Sequence, residues 1–163
     1  MKTIYLLFVF SLILIGTVVI SCNEKKPSLL ENEYIMKIAF FPQGLLDETY
    51  YFILTEKKEL NAQIGVRKNN DIRTVPFLTK IDSEKQIKIS EENVLQLKQI
   101  AKELYENYDY VKEGIFNVDD AWFISVYFRD KIMIKQAYDN EMKKLQEKII
   151  ELAPIEIDLR GFS

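Results

Sequence analysis

Two stretches of this chain repeat their apolar residues at the spacing of one helix face, and short runs that alternate or are wholly apolar lie before the first and between the two. Val94, Leu97, Ala101, Leu104 and Tyr108 form the first stripe, and Met142, Leu145, Ile149 and Leu152 the second. Ser90 stands where it can accept from free backbone N–H groups, and Glu91 and Glu92 suit the positive end of the dipole. Asp139 or Asn140 caps the second helix, and Pro154 ends it. Before the first helix, Tyr34 to Phe41 is strand-like. "TYYFILT" (Thr49–Thr55) reads as a buried strand, and Leu60–Arg67 alternates Ala62, Ile64 and Val66 against Asn61, Gln63 and Arg67. A charged turn, Glu56 to Glu59, joins the last two into a hairpin. Residues 68–73 form a loop. Thr74–Ile81 is extended, and Pro76 confines it to a sheet edge. A second hairpin follows: Trp122, Ile124, Val126 and Phe128 face one way, Phe123, Ser125 and Tyr127 the other. Arg129-Asp130-Lys131 turns the chain into a return strand, Ile132–Tyr138. Ile155–Leu159 alternates and predicts a short final strand. The expected fold is α+β: ββα-ββα order, an antiparallel sheet with both helices on one face. Antiparallel sheets tolerate a solvated second face.

The N-terminus has a different grammar. Lys2 is followed by a run without charge from Thr3 to Ile20, and the chain turns polar at Asn23. A charged start, an apolar middle and small residues at the exit describe a secretory signal. Val19-Ile20-Ser21-Cys22 resembles the lipobox of bacterial lipoproteins: a branched apolar residue, a small residue, then cysteine. That resemblance, confined to residues 1–22, implies a diacylglycerol on the Cys22 thiol and cleavage between Ser21 and Cys22. It implies an extracytoplasmic protein held to a membrane by two acyl chains, enough for stable anchoring. Asn23, in place of the aspartate that retains lipoproteins at an inner membrane, favours the outer membrane where there is one. The organisation expected is a signal peptide at 1–21, a lipidated cysteine and tether at 22–32, and a single α+β domain at 33–163. The competing reading is an uncleaved anchor helix.

Inventory narrows the chemistry. The chain has no histidine and one cysteine. Zinc enzymes, Ser-His-Asp hydrolases and Cys-His proteases lack their residues here. With no second cysteine, a disulfide is impossible and the fold rests on its core. The net charge is −3, and loss of Lys2 with the signal makes it one unit more acidic. Nucleic acid, which wants a basic patch, is not an expected partner. No cofactor or metal is expected either.

Candidate sites are weighed against plainer roles. Asp119-Asp120 could offer oxygens to Ca²⁺, but no spaced ligand loop follows, and a polar turn explains them. Ser125 with Lys135 would be a Ser-Lys pair, without the strained turn a nucleophile needs. "YENYDYV" holds Tyr105, Tyr108 and Tyr110, and with Trp122 these are the candidate partner contacts. The plainer role is packing at the sheet edge. Tyr50, Tyr51, Phe52, Phe123, Tyr127 and Phe128 would mark a binding surface on an uncovered sheet face, or core on a covered one. The functional expectation is a lipid-anchored, non-enzymatic envelope protein binding another envelope protein. The alternative is a small-molecule or cell-wall ligand binder, with a pocket between helix and sheet.

Overall fold

The strand that reads first in sequence lies in the middle of the sheet. In the computed structural model, which describes residues 34–108, 121–137 and 139–159, the strands are β1 (Tyr34–Pro42), β2 (Thr49–Thr55), β3 (Glu59–Arg67), β4 (Leu78–Lys88), β5 (Trp122–Phe128) and β6 (Lys131–Gln136). The helices are α1 (Glu91–Asn107) and α2 (Asn140–Leu152). The spatial order is β4-β3-β2-β1-β5-β6, and the neighbours are antiparallel. One compact unit takes in all the described residues.

The α+β class and the antiparallel sheet are as expected; the ββα-ββα order is not. Four strands precede α1. The hairpin β2–β3 is flanked by β1 on one side and β4 on the other. The sequence of β4, LTKIDSEKQIK, is largely polar and exposed, and no apolar period marks its second half. An edge strand tolerates that composition, and charges there discourage pairing with other chains. Thr74–Ile81 marked only its beginning. The β3–β4 pairing shifts register at Gly65, where a Cβ would collide with the carbonyl oxygen of Lys80. Glycine is what allows that bulge. β1, by contrast, is buried along nearly its whole length, as a central strand should be.

Both helices pack on one face. Val94, Leu97, Ala101 and Leu104 of α1 and Met142, Leu145 and Ile149 of α2 share one core with Met36, Ile38, Phe40, Phe52, Ile124 and Val126. The caps are as the sequence proposes. Ser90 Oγ accepts from Asn93 N–H at 3.2 Å, and Asp139 Oδ1 from Glu141 N–H at 2.8 Å. Ile155–Leu159 is not a strand. Among the described residues it joins no strand, and its aliphatic side chains pack on the helix-side core.

The second face is not simply open. Ala39, Phe41, Tyr51, Ile53 and Phe123 are buried there with Ile72 and Phe77, which the β3–β4 loop supplies. Tyr51 and Phe77 rings lie 4.8 Å apart.

Candidate functional site

β1 ends and β2 begins at the same end of the sheet where β3 passes to β4. Loops 43–48 and 68–77 therefore project together. The chain enters β1 at Tyr34, opposite Thr55, at the other end. The two ends are separated by a strand's length, roughly 25–30 Å.

Arg67, the last residue of β3, joins these loops. It is 2 % exposed. Its Nη2 donates to the Pro42 carbonyl at 3.3 Å and its Nη1 to Thr49 Oγ1 at 3.2 Å, one at each root of the first loop. Its Nε donates to Asn70 Oδ1 in the second loop at 3.0 Å. Its backbone N–H donates to the Leu46 carbonyl at 2.7 Å. The guanidinium lies 4.4 Å from the centre of the Phe41 ring. A planar fork of donors suits this better than a lysine would. Burial pulls the Arg67 pKa below its ordinary value, and the negative charge of Asp47 partly opposes that. Around this fixture, Leu45 is 54 % exposed, Leu46 48 % and Val75 53 %.

A second polar cluster lies on the same face. Lys37 is buried, its ammonium 4.2 Å from the Tyr34 ring centre and 5.8 Å from that of Tyr127. Burial, with a smaller contribution from Tyr34, pushes the Tyr51 phenol pKa up. Ser125 is fully buried, and its Oγ has no hydrogen-bond partner among the described residues.

The tyrosine candidates are scattered by the fold. Tyr105 is half-buried on α1; its hydroxyl donates to Asp130 Oδ1 at 3.0 Å, and Lys131 Nζ sits 4.3 Å from its ring centre. Tyr108 is buried. Its hydroxyl donates to the Ile134 carbonyl at 3.0 Å and accepts from Ile134 N–H at 2.9 Å, filling a ladder position on β6. Trp122 is buried in the helix-side core, 5.9 Å from the Tyr50 ring. Tyr110, Asp119, Asp120, Ser21 and Cys22 lie outside the described residues. Of the six aromatics, Tyr50, Phe52 and Phe128 join the helix-side core, while Tyr51, Phe123 and Tyr127 lie on the other face. Ser125 pairs with Ile134 and Lys135 with Ile124, so neighbouring ladder positions put the two side chains on opposite faces. Lys135 is engaged by Glu141 at 2.8 Å and Asp139 at 3.6 Å.

Among the described residues, no three His, Cys, Asp or Glu side chains converge as a metal site, and no helix is long and apolar enough to cross a membrane. A depression of about 180 Å³ lies between the two helices, lined by Ile100, Glu103, Leu104, Asn107, Asn140 and neighbours. It is not between helix and sheet, and it is below the roughly 300 Å³ at which small-molecule pockets begin. No protein-family model, curated protein or solved structure matches the chain.

Proposed function

We propose that this is an extracytoplasmic protein, held to a bacterial membrane through lipid on Cys22, that binds another envelope protein without catalysis. The sequence motif at Cys22 supports the anchor. The loop end supports the binding role. It lies a strand's length from the residue where an anchored chain enters the domain. Arg67 holds both loops in place before any partner arrives, so little freedom is lost on contact. Leu45, Leu46 and Val75 provide exposed apolar surface at that end, of the kind found at the centre of contacts. Tyr105 is the second candidate contact. Tyr108 and Trp122 serve the fold that presents these surfaces.

The test is crosslinking in intact cells, with a photo-reactive phenylalanine in place of Leu45, Val75 or, as control, Lys143 on the exposed face of α2. A discrete protein adduct from Leu45 and Val75, absent from Lys143 and lost in Cys22→Ser, is expected. Equal adducts from all three positions would remove the loop end from consideration. Membrane retention of Cys22→Ser would remove the lipid anchor.

A further inference from the structure

The two edges of the sheet are protected in different ways. β4 carries Lys80, Asp82, Glu84, Lys85 and Lys88, and charges on an edge strand discourage the addition of another. β6 reads KIMIKQ, and both of its lysines are drawn elsewhere. Lys135 is held by Glu141 and Asp139, and Lys131 donates to the Tyr105 carbonyl at 2.9 Å, at the end of α1. On β6 it is the backbone that is met. Ile134 stands opposite Ser125 in the β5–β6 ladder. Its N–H donates to the Tyr108 hydroxyl at 2.9 Å, and its carbonyl accepts from the same hydroxyl at 3.0 Å. In an antiparallel ladder a residue turns both of these groups to one side, so those of Ile134 point away from β5, to the outer edge. The Gln136 carbonyl accepts from Asp139 N–H at 3.0 Å as the chain turns into α2. Tyr108 is the C-cap residue of α1; its ring is buried, with the Lys135 ammonium 5.7 Å from its centre.

We propose that Tyr108 guards the β6 edge: its side chain occupies the outward backbone groups of Ile134 and so keeps the sheet from continuing into a second copy of this chain. A strand edge with its N–H and carbonyl groups unmet is a template for another strand. A second copy offers a matching one. Two β6 strands meeting about a twofold axis at Ile134 exchange both bonds between the two Ile134 backbones. Met133 then stands opposite Lys135 and Lys131 opposite Ala137, so no like charges face one another. A phenol is suited to prevent this because one oxygen both donates and accepts, and it presents no further ladder to the outside. The inference is independent of the loop end and of the anchor.

The test uses the full-length protein in detergent, as two differently tagged preparations mixed and then purified through one tag. Tyr108→Ala, which clears the edge, is expected to give at least tenfold more of the mixed species than the unaltered protein, the effect of the bonds that become available between copies. Adding Ile134→Pro should return it to the unaltered level. Proline removes the outward N–H there and leaves the ladder to β5 intact, as edge strands allow. Leu104→Ala, which deletes apolar volume from the same helix and keeps Tyr108, should not raise mixing. Tyr108→Ala that mixes no more than the unaltered protein would overturn the proposal, as would mixing that survives Ile134→Pro or that Leu104→Ala matches. If Tyr108→Ala does not fold, Tyr108→Phe decides. Amide exchange at Ile134 should accelerate about tenfold while that of β1 is unchanged, with more mixed species than Tyr105→Phe gives. No acceleration at Ile134, or equal mixing by the two variants, would overturn the proposal.

Discussion

The two faces of the sheet are built from alternate residues of the same strands, and they are buried by different means. On the helix side, β1 contributes Met36, Ile38 and Phe40 to a core of apolar side chains closed by two amphipathic helices. On the reverse, the same strand contributes Lys37, Ala39 and Phe41, and the neighbours include Arg67, Asn61 and Ser125, all buried. One face is held by the removal of apolar area from water. The other combines aromatic contacts with cations whose charge is met by rings and oxygen atoms. Both arrangements bury their residues, but the second also fixes direction, because hydrogen bonds and cation–ring contacts have geometry. That is why the loops at one end are pinned from the reverse face, by Arg67.

The sharpest way to separate the two faces is to delete volume from the first. Phe52 is fully buried and packs edge-on against Phe40 at 5.6 Å. Phe52→Ala should cost about 3–5 kcal/mol in urea unfolding. On the reverse face, Arg67→Met keeps the stem and removes the fork. It should cost about 2–3 kcal/mol, with faster amide exchange in residues 43–48 and 68–77 and none in α1. A loss spread evenly over the molecule would show that Arg67 is part of the core and not a fixture for the loops. Smaller again is Tyr108→Phe, about 1 kcal/mol, because the Ile134 N–H and carbonyl lose their one described partner. Tyr105→Phe, which removes an exposed bond to Asp130, should stay within about 0.5 kcal/mol. Smallest is Ser125→Ala. Its hydroxyl is buried without a partner among the described residues, so thermal unfolding should show no loss, or a gain of up to about 1 kcal/mol. A loss larger than that would mean the hydroxyl is satisfied.

Much of the helix-side face was legible in residue order. The stripes of α1 and α2, the caps at Ser90 and Asp139, and the inward and outward sets of β5 all follow from periods of 3.6 and 2 acting on single elements. The reverse face was not. Arg67 occupies a polar position in an alternating strand, and nothing nearby distinguishes it from a solvated arginine such as Arg73, which pairs with Asp71 at the surface. A tyrosine cluster suits interfaces, which makes Tyr108 a candidate contact, yet in the fold its hydroxyl bonds a backbone twenty-six residues away. The extended reading of Thr74–Ile81 reaches only the start of β4, because an edge strand needs no apolar face of its own to mark the rest.

The sequence alone determined the α+β class, most of the elements, the core stripe of each helix, and the reaction chemistries for which the chain lacks residues. Those depend on local periodicity and inventory, which a linear chain carries in full. Only the tertiary structure decided that β1 is central, that β4 extends the sheet, that Arg67 ties two loops together, and that the Tyr50 hydroxyl on β2 both donates to the Asp158 carbonyl and accepts from its N–H. Each of these depends on partners far apart in the chain, and hydrogen-bond geometry between distant residues leaves no periodic trace in the order of amino acids.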